Sequence, residues 1–168
     1  MPTAIKLVEP AASEVLAGLE AKTQKPNLFL RAMAHRPEAL KNFGPFYSAI
    51  MGSGSVDRRV KELVYLTCSY SNECAFCTAA HVASATKAGI TEEEMRAIQT
   101  DQDHEFSAPE RAAIQFAREV TQTASADDSR AALLEHYSDE QAVEITLVAA
   151  MANFTNRFNN ALEIEPES

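Results

Sequence analysis

Three capping boxes constrain the fold of this chain more than any other feature of its sequence. In a capping box, a Ser or Thr precedes a helix and a Glu or Gln follows three residues later, so that each side chain can bond the other residue's backbone amide. The three pairs are Thr91 with Glu94, Ser107 with Glu110, and Ser138 with Gln141. They predict helices over 91–99, 107–123 and 138 to about 162.

The remaining segments also have helical patterns, and no stretch has the alternating β-branched residues of a strand. We expect further helices over 10–23, 27–34, 37–50, 57–71, 73–89 and 127–136. Asp57 is predicted to cap its helix, and Gly89 suits a left-handed helix end. The chain of 168 residues is therefore expected to be all-α. We expect one domain over 1–168, with its core at about 27–162 and an N-terminal helix at about 10–23.

Composition limits the partners of the chain. It carries 15 Lys and Arg against 24 Asp and Glu, a formal net charge of −9, and this charge disfavours contact with nucleic acid. No apolar run is long enough to span a membrane, and the first residues lack the apolar stretch of a secretory signal. We therefore expect a cytoplasmic protein, where a cysteine pair is more often catalytic or metal-binding than a structural disulfide.

The chemistry of the chain is concentrated in one short cluster. Cys74, Cys77 and His81 have the spacing i, i+3 and i+7, which places them on one face of a helix, and Glu62 lies on the preceding predicted helix. A thiolate is favoured near a helix N-terminus, where Cys74 is expected in the first turn. His81 can take the proton of Cys77, and Glu62 can orient His81 or relay a proton. The pattern indicates thiol redox chemistry.

Two other interpretations of the cluster remain open. The thiols could be buried core residues, or Cys74, Cys77, His81 and Glu62 could together hold a structural zinc ion. Helical periodicity places Glu62 near the margin of the buried face of its helix. Its role in chemistry therefore depends mainly on a family resemblance.

The motif Glu62-x11-Cys74-x2-Cys77-x3-His81 resembles the active-site signature of AhpD-like alkylhydroperoxidases, within the carboxymuconolactone decarboxylase superfamily. The Ala-rich segment 79–83, the break at 89–91 and the segment 153–162 also fit, the last resembling a peroxidase-related branch. The likeness extends over about 27–162. It implies an AhpD-like helical bundle that forms homo-oligomers, built from dimers or assembled as a trimer or hexamer.

The resemblance also implies a function. Cys77 would attack a small hydroperoxide as the peroxidatic cysteine, Cys74 would resolve the sulfenic acid to a disulfide, and His81 and Glu62 would act as base and proton relay. No cofactor or metal is implied, and a dithiol or a thioredoxin-like donor would restore the thiols. Phe76 stands where the best-known members carry an extra histidine, so one proton carrier is missing. Decarboxylation is not supported, since that branch lacks the CxxC.

The leading expectation is therefore a thiol-dependent peroxidase. The alternatives are a dithiol–disulfide oxidoreductase with another substrate, and a metal-stabilised or redox-sensing interaction module without turnover. Cys68 is interpreted as a core residue. Surface positions are expected for His35, His104 and His136. Hydrogen bonds between helices or a subunit interface are expected for the polar residues Asn153, Asn156, Asn160 and Arg157. Core positions or pocket walls are expected for the aromatic residues Phe43, Phe46 and Tyr47.

Overall fold

The computed structural model describes residues 3–23 and 25–166, and all regular elements in those ranges are helical, which confirms the all-α prediction. The α-helices are α1 (Glu14–Thr23), α2 (Leu28–Met33), α3 (Pro37–Met51), α4 (Arg58–Ser71), α5 (Ala75–Lys87), α6 (Glu92–Gln99), α7 (Ala108–Thr123), α8 (Arg130–His136) and α9 (Asp139–Ala161). Two short 3₁₀ helices cover Pro10–Ala12 and Asp103–Glu105. The predicted helix over 10–23 is thus divided, because Ser13 is extended between the 3₁₀ turn and α1.

The capping pairs form at the ends where they were predicted. Thr91 accepts from the amide of Glu94 over 3.1 Å, and Glu94 accepts from the amide of Thr91 over 2.8 Å. Before α9, Ser138 and Gln141 exchange the same two bonds. Before α7, the carboxylate of Glu110 accepts from both the backbone amide and the hydroxyl of Ser107. These local bonds explain why the helix starts could be read from the sequence.

Helix α4 lies at the centre of the fold, packed against α5, α6, α7 and α9. Every residue from Val60 to Ser69 is buried, so α4 has no solvent face over that stretch. The predicted marginal position of Glu62 is therefore wrong: its side chain is 0% exposed. The periodicity of a single helix identifies its most apolar face, but it contains no information about other helices that pack against the remaining faces.

The loop between α3 and α4 is held by α9 rather than by the predicted cap. Asp57 makes no side-chain capping bond. Instead, the carboxylate of Glu144 accepts from the amides of Ser55 and Val56 and forms an ion pair with the buried amine of Lys61. That amine also donates to the carbonyls of Ile50 and Gly52. The start of α4 is thereby fixed by a contact from the far end of the sequence.

Helix α5 begins later than predicted. Glu73 has a left-handed backbone (φ 52°), Cys74 is extended and serves as the N-cap, and the helix starts at Ala75. At the other end, Gly89 has φ +83° and the amide of Ile90 bonds the carbonyl of Ala85, so the predicted left-handed end is confirmed.

Within residues 3–23 and 25–166, no helix combines the length and hydropathy needed to cross a membrane.

Candidate active site

The two cysteines of the CxxC lie at the N-terminus of α5. Cys74 precedes the helix, where its Sγ accepts a hydrogen bond from the amide of Cys77 over 3.3 Å. The expectation that Cys74 lies inside the first turn is therefore wrong, because its extended backbone makes it the cap. Both thiols are free and nearly enclosed, with Cys74 1% and Cys77 3% exposed.

The environment separates the acidities of the two thiols. The hydrogen bond from Cys74 lowers the pKa of Cys77 to about 7, helped by the amide of Asn159 and opposed by burial. The same thiol–thiol hydrogen bond, together with burial, raises the pKa of Cys74. Cys77 also occupies the third position of α5, near the positive end of the helix dipole. Cys77 is thus the thiol that ionises first.

Asn159 is a site residue that the sequence interpretation missed. Its Nδ2 donates to the Sγ of Cys77 over 3.2 Å from α9, and its side chain is buried. Its Oδ1 has no hydrogen-bond partner among the described residues. The sequence contained a partial signal, because Asn159 lies beside the predicted polar face of α9, but nothing in the sequence connected it to Cys77.

The polar face of α9 positions the turn that leads into the CxxC. Asn72 donates its Nδ2 to the Oδ1 atoms of Asn153 and Asn156, both over 3.0 Å. Asn160 in turn donates to the carbonyl of Asn72 over 2.6 Å, and Arg157 bonds Asn153 on its own helix. The predicted hydrogen bonds between helices are confirmed, and they fix the residues immediately before Cys74.

Glu62 and His81 form a buried pair one helix turn beyond the cysteines. The Nδ1 of His81 lies 2.8 Å from one oxygen of Glu62. The other oxygen accepts from Ser84 over 2.6 Å and pairs with Arg58 at 2.5 Å. Burial acts to raise the pKa of Glu62, but the hydrogen bond with His81 and the other two partners outweigh it, and the net pKa is lowered. Glu62 is therefore a carboxylate that holds the ring of His81 in place.

Two tyrosines complete the surroundings of His81. Its Nε2 lies 3.1 Å from the hydroxyl of Tyr47 on α3, and its ring stacks on Tyr65 with centroids 3.6 Å apart. Since a carboxylate only accepts, Nδ1 carries the proton towards Glu62, and the hydroxyl of Tyr47 donates to Nε2 when the ring is neutral. Burial, followed by the charge of Glu62, raises the pKa of Tyr47 to about 12, so the phenol stays protonated near neutral pH.

Four predicted site residues thus form two pairs, Cys74 with Cys77 and Glu62 with His81. Among the described residues, neither ring nitrogen of His81 hydrogen-bonds Cys77; Tyr47 lies at the end of the Glu62–His81 chain instead. The expected role of His81 as the base for Cys77 remains a prediction.

In the part of the chain that the structure describes, no group of three or more His, Cys, Asp or Glu is arranged to hold a metal ion. The zinc alternative therefore gains no support.

An apolar cavity of about 350 Å³ opens beside Cys77 and His81. Its walls come mainly from aromatic side chains on α2, α3, α4 and α5: Phe29, Phe43, Tyr47, Tyr65 and Phe76. Phe43 and Tyr47 line this cavity and also pack against the buried core, so both interpretations of that segment apply to them. Phe46 does not line this cavity and is 57% exposed. The cavity has the size and character of a site for a small, largely apolar molecule.

The other expected positions agree with the structure. Cys68 is fully buried, and burial raises the pKa of its thiol to about 11, which makes it an inert core residue. His35, His104 and His136 are exposed, as predicted.

Fold and site together define an all-helical protein with a buried dithiol, an adjacent Glu–His pair and an apolar cavity. The chain belongs to the carboxymuconolactone decarboxylase family, whose model matches residues 37–119. It is 31% identical over 112 residues to the uncharacterized protein YdfG of Bacillus subtilis (strain 168), covering 64% of this chain and 76% of that one.

Solved structures share the fold. A crystal structure of an alkylhydroperoxidase AhpD core, an uncharacterized peroxidase-related protein from Ralstonia eutropha JMP134, has a TM-score of 0.85. Its sequence identity is 21%, over all of this chain and 94% of that one. A variant of the debrominase Bmp8 in complex with 2,3,4-tribromopyrrole has a TM-score of 0.81 at 22% identity, over all of this chain and 94% of that one. These likenesses establish the fold, and the resemblance to AhpD-like proteins is confirmed.

Proposed function

We propose that the protein reduces organic hydroperoxides through a dithiol–disulfide cycle. The observation that carries the proposal is the environment of Cys77, a thiol with a lowered pKa that opens on an apolar cavity. The Cys77 thiolate attacks the terminal oxygen of the peroxide, the O–O bond breaks, and an alcohol leaves. The resulting sulfenic acid condenses with the Cys74 thiol, which releases water and forms the disulfide.

The Glu62–His81 pair and the neighbouring Tyr47 are proposed to supply the proton that the departing alkoxide needs. An alkoxide is a poor leaving group, so its departure needs a proton at the moment the O–O bond breaks. We assign this donor role to Tyr47, which shares the cavity with Cys77. The phenol O–H turns from the Nε2 of His81 to the leaving oxygen and gives it a proton, and the phenolate takes a proton back from solvent. Glu62 holds the ring of His81, and with it the hydroxyl of Tyr47, in place.

Tyr47 would thus take over the function that Phe76 cannot perform. The residue between the cysteines is apolar here and contributes a wall of the cavity rather than a proton carrier. The hydroxyl of Tyr47 reaches the same histidine from α3, a helix that the motif does not include. This supports peroxide reduction in spite of the departure from the family's pattern.

The test is a count of thiols by intact mass before and after one equivalent of cumene hydroperoxide. We expect the loss of two titratable thiols and no added oxygen, because Cys74 traps the sulfenic acid. In Cys74→Ser, Cys77 should instead gain oxygen and advance along the oxidation ladder. If the wild type gained no disulfide with any hydroperoxide but formed one with a disulfide donor, the oxidoreductase with a non-peroxide substrate would replace the peroxidase.

We also propose that the protein forms homo-oligomers. A second apolar groove of about 420 Å³ lies between α3 and α9 and contains the exposed side chains of Phe46, Leu147 and Phe154. Contiguous apolar side chains of this kind are costly to leave in water. A sedimentation mass of two or more chains at micromolar concentration is the expected result, and a mass of one chain would contradict the proposal.

A further inference from the structure

We propose that the thiol reductant enters through a second cavity, on the opposite face of α5 from the peroxide cavity, and attacks Cys74. This inference rests on the proposed dithiol cycle and adds to it the place and chemistry of the reducing step. The two cysteines of the motif would then serve two different entrances.

The placement of the two cavities is the observation behind this. Cys77 lines the apolar cavity together with Phe76, Ala80 and His81, whereas Cys74 lines a cavity of about 610 Å³ together with Ala75, Thr78 and Ala79. The two sets of described lining residues do not overlap. On a helix with 3.6 residues per turn they fall on opposite faces. In the disulfide, the sulfur of Cys77 would therefore face the apolar cavity and the sulfur of Cys74 would face the second cavity.

The second cavity differs in chemistry from the first, so we call it the polar cavity. Its lining includes hydroxyl, amide and carboxylate side chains, from Ser69, Tyr70, Glu73, Thr78 and Gln99. Among the described residues, no aromatic ring other than that of Tyr70 lines it. Such walls suit a hydrogen-bonding, water-soluble thiol better than the apolar tail of an organic peroxide. Glu73 is the one charged residue in this described lining, and the chain as a whole carries −9, so a neutral dithiol fits better than an anionic one.

The surroundings of the two sulfurs agree with this direction of attack. In thiol–disulfide exchange, the sulfur that leaves is preferentially the one whose thiolate is better stabilised. Attack on Cys74 expels Cys77 as a thiolate that accepts from the amide of Asn159 and lies in the first turn of α5. Attack on Cys77 would instead expel Cys74, which precedes that turn as the N-cap. Geometry and leaving-group ability therefore favour the same sulfur.

The reducing step balances with a dithiol as the two-electron donor. One thiolate of the reductant bonds the Sγ of Cys74, the disulfide breaks, and Cys77 leaves as a thiolate. The second thiol of the reductant then attacks the first sulfur of the same reductant molecule, which is bonded to Cys74. This releases Cys74, which takes a proton. The reductant leaves as a cyclic disulfide, and both cysteines are reduced.

Adjacent alanines on α5 provide a matched pair of variants. Ala79 lines the polar cavity and Ala80 lines the apolar cavity, and both are exposed. Leucine keeps the helical preference and narrows one opening at a time. Disulfide reduction by dithiothreitol and thiol oxidation by cumene hydroperoxide are measured separately by stopped flow. We expect Ala79→Leu to slow reduction about tenfold relative to oxidation, and Ala80→Leu to show the reverse. Ala83→Leu, on the same helix but lining neither cavity, is the control.

A second measurement identifies the sulfur that is attacked. The oxidised wild type is exposed briefly to β-mercaptoethanol, a neutral monothiol, then quenched with acid and mapped by peptide mass. We expect the adduct on Cys74. An adduct on Cys77, or reduction slowed by Ala80→Leu and not by Ala79→Leu, would overturn the proposal.

The outcome is separable from that of the proposed function. The disulfide for the reductive measurements is made with diamide, so the entrance of the reductant can be determined even if no peroxide reacts. Failure of the peroxide reaction would then count against the peroxidase alone. Cumyl alcohol, the product of cumene hydroperoxide reduction, should leave the rate of dithiothreitol reduction unchanged. If both reactants shared one entrance, the alcohol would slow that reduction.

Discussion

The side-chain amide of Asn159 donates a hydrogen bond to the Sγ of Cys77 over 3.2 Å, although 82 positions separate the two residues in the sequence. An amide N–H can only donate, and it bonds a charged sulfur more strongly than a neutral one. The bond therefore favours the thiolate of Cys77 over its thiol and lowers the pKa. It connects the long helix α9 directly to the atom that would attack the substrate.

Removing this bond should raise the pKa of Cys77. A hydrogen bond to a charged group contributes about 1.5–3 kcal/mol, and one pKa unit corresponds to about 1.4 kcal/mol, so we expect Asn159→Leu to raise the pKa by about one to two units. Asn159→Asp should raise it further, because a carboxylate repels the thiolate. Ultraviolet absorbance of the thiolate against pH gives the value. Gln115→Leu is the control, since Gln115 is an exposed amide on α7 that lines neither the apolar nor the polar cavity. An unchanged titration in Asn159→Leu would contradict the assignment.

The reaction with peroxide should follow the ionisation of Cys77. Only the thiolate attacks, so the rate is expected to rise with pH and reach half its maximum at about pH 7, the pKa of Cys77. Cys74→Ala removes the largest cause of the lowered pKa, and the midpoint should move up towards the ordinary value of about 8.5. A midpoint that stays at the wild-type position would mean that Cys74 does not tune its neighbour.

The parts of the site that could be predicted are those with local causes. The helix starts follow from side chains three residues apart, such as Thr91 and Glu94. The register of Cys74, Cys77 and His81 follows from one helical period. These interactions lie within single turns, so a sequence pattern contains all the information needed.

The parts that could not be predicted depend on how helices pack. Tyr47 reaches His81 across 34 positions, and Asn159 reaches Cys77 across 82. The burial of Glu62 likewise depends on the helices that surround α4. Periodicity within one helix carries no information about the helices packed against it, so the sequence indicates only a core or wall position for Tyr47 and no contact between Asn159 and Cys77.

The buried ion pair of Lys61 and Glu144 should be important for stability. Lys61 is 1% exposed, so replacing its partner leaves a buried charge with only backbone carbonyls around it. We expect Glu144→Gln to lower the free energy of unfolding by about 3 kcal/mol, measured by urea denaturation. The exposed Glu140→Gln on the same helix should change it by less than about 0.5 kcal/mol. Equal effects of the two variants would contradict this role for Glu144.

The stabilisation by Glu144 should also depend on pH. Its partners, led by the hydrogen bond from Lys61, outweigh the effect of burial and lower the pKa of Glu144 in the folded protein. The contribution is therefore complete above the unfolded value of about 4.3 and is lost as the pH falls through the folded pKa. The difference in unfolding free energy between wild type and Glu144→Gln should shrink over that interval. A difference that stays constant there would point to packing rather than charge.

The proposed proton donation by Tyr47 can be separated from a merely structural role by the choice of leaving group. Cumene hydroperoxide releases an alkoxide, which needs a proton, whereas perbenzoic acid releases a carboxylate, which does not. General acid catalysis contributes roughly 10²–10⁴-fold, so Tyr47→Phe should slow the reaction of Cys77 with cumene hydroperoxide by at least about 100-fold. The reaction with perbenzoic acid should change little, and the thiolate titration of Cys77 should stay near the wild-type curve.

The control for this experiment is Tyr137→Phe, because the hydroxyl of Tyr137 has no hydrogen-bond partner among the described residues and lines neither the apolar nor the polar cavity. Both of its rates should match the wild type. If Tyr47→Phe slowed the two oxidants equally, the hydroxyl would be positioning the ring of His81 or shaping the cavity rather than donating a proton. If it slowed neither, the proton would reach the leaving oxygen from His81 or from solvent. Only a loss confined to the alkoxide-releasing substrate assigns the proton to Tyr47, since only that substrate depends on it.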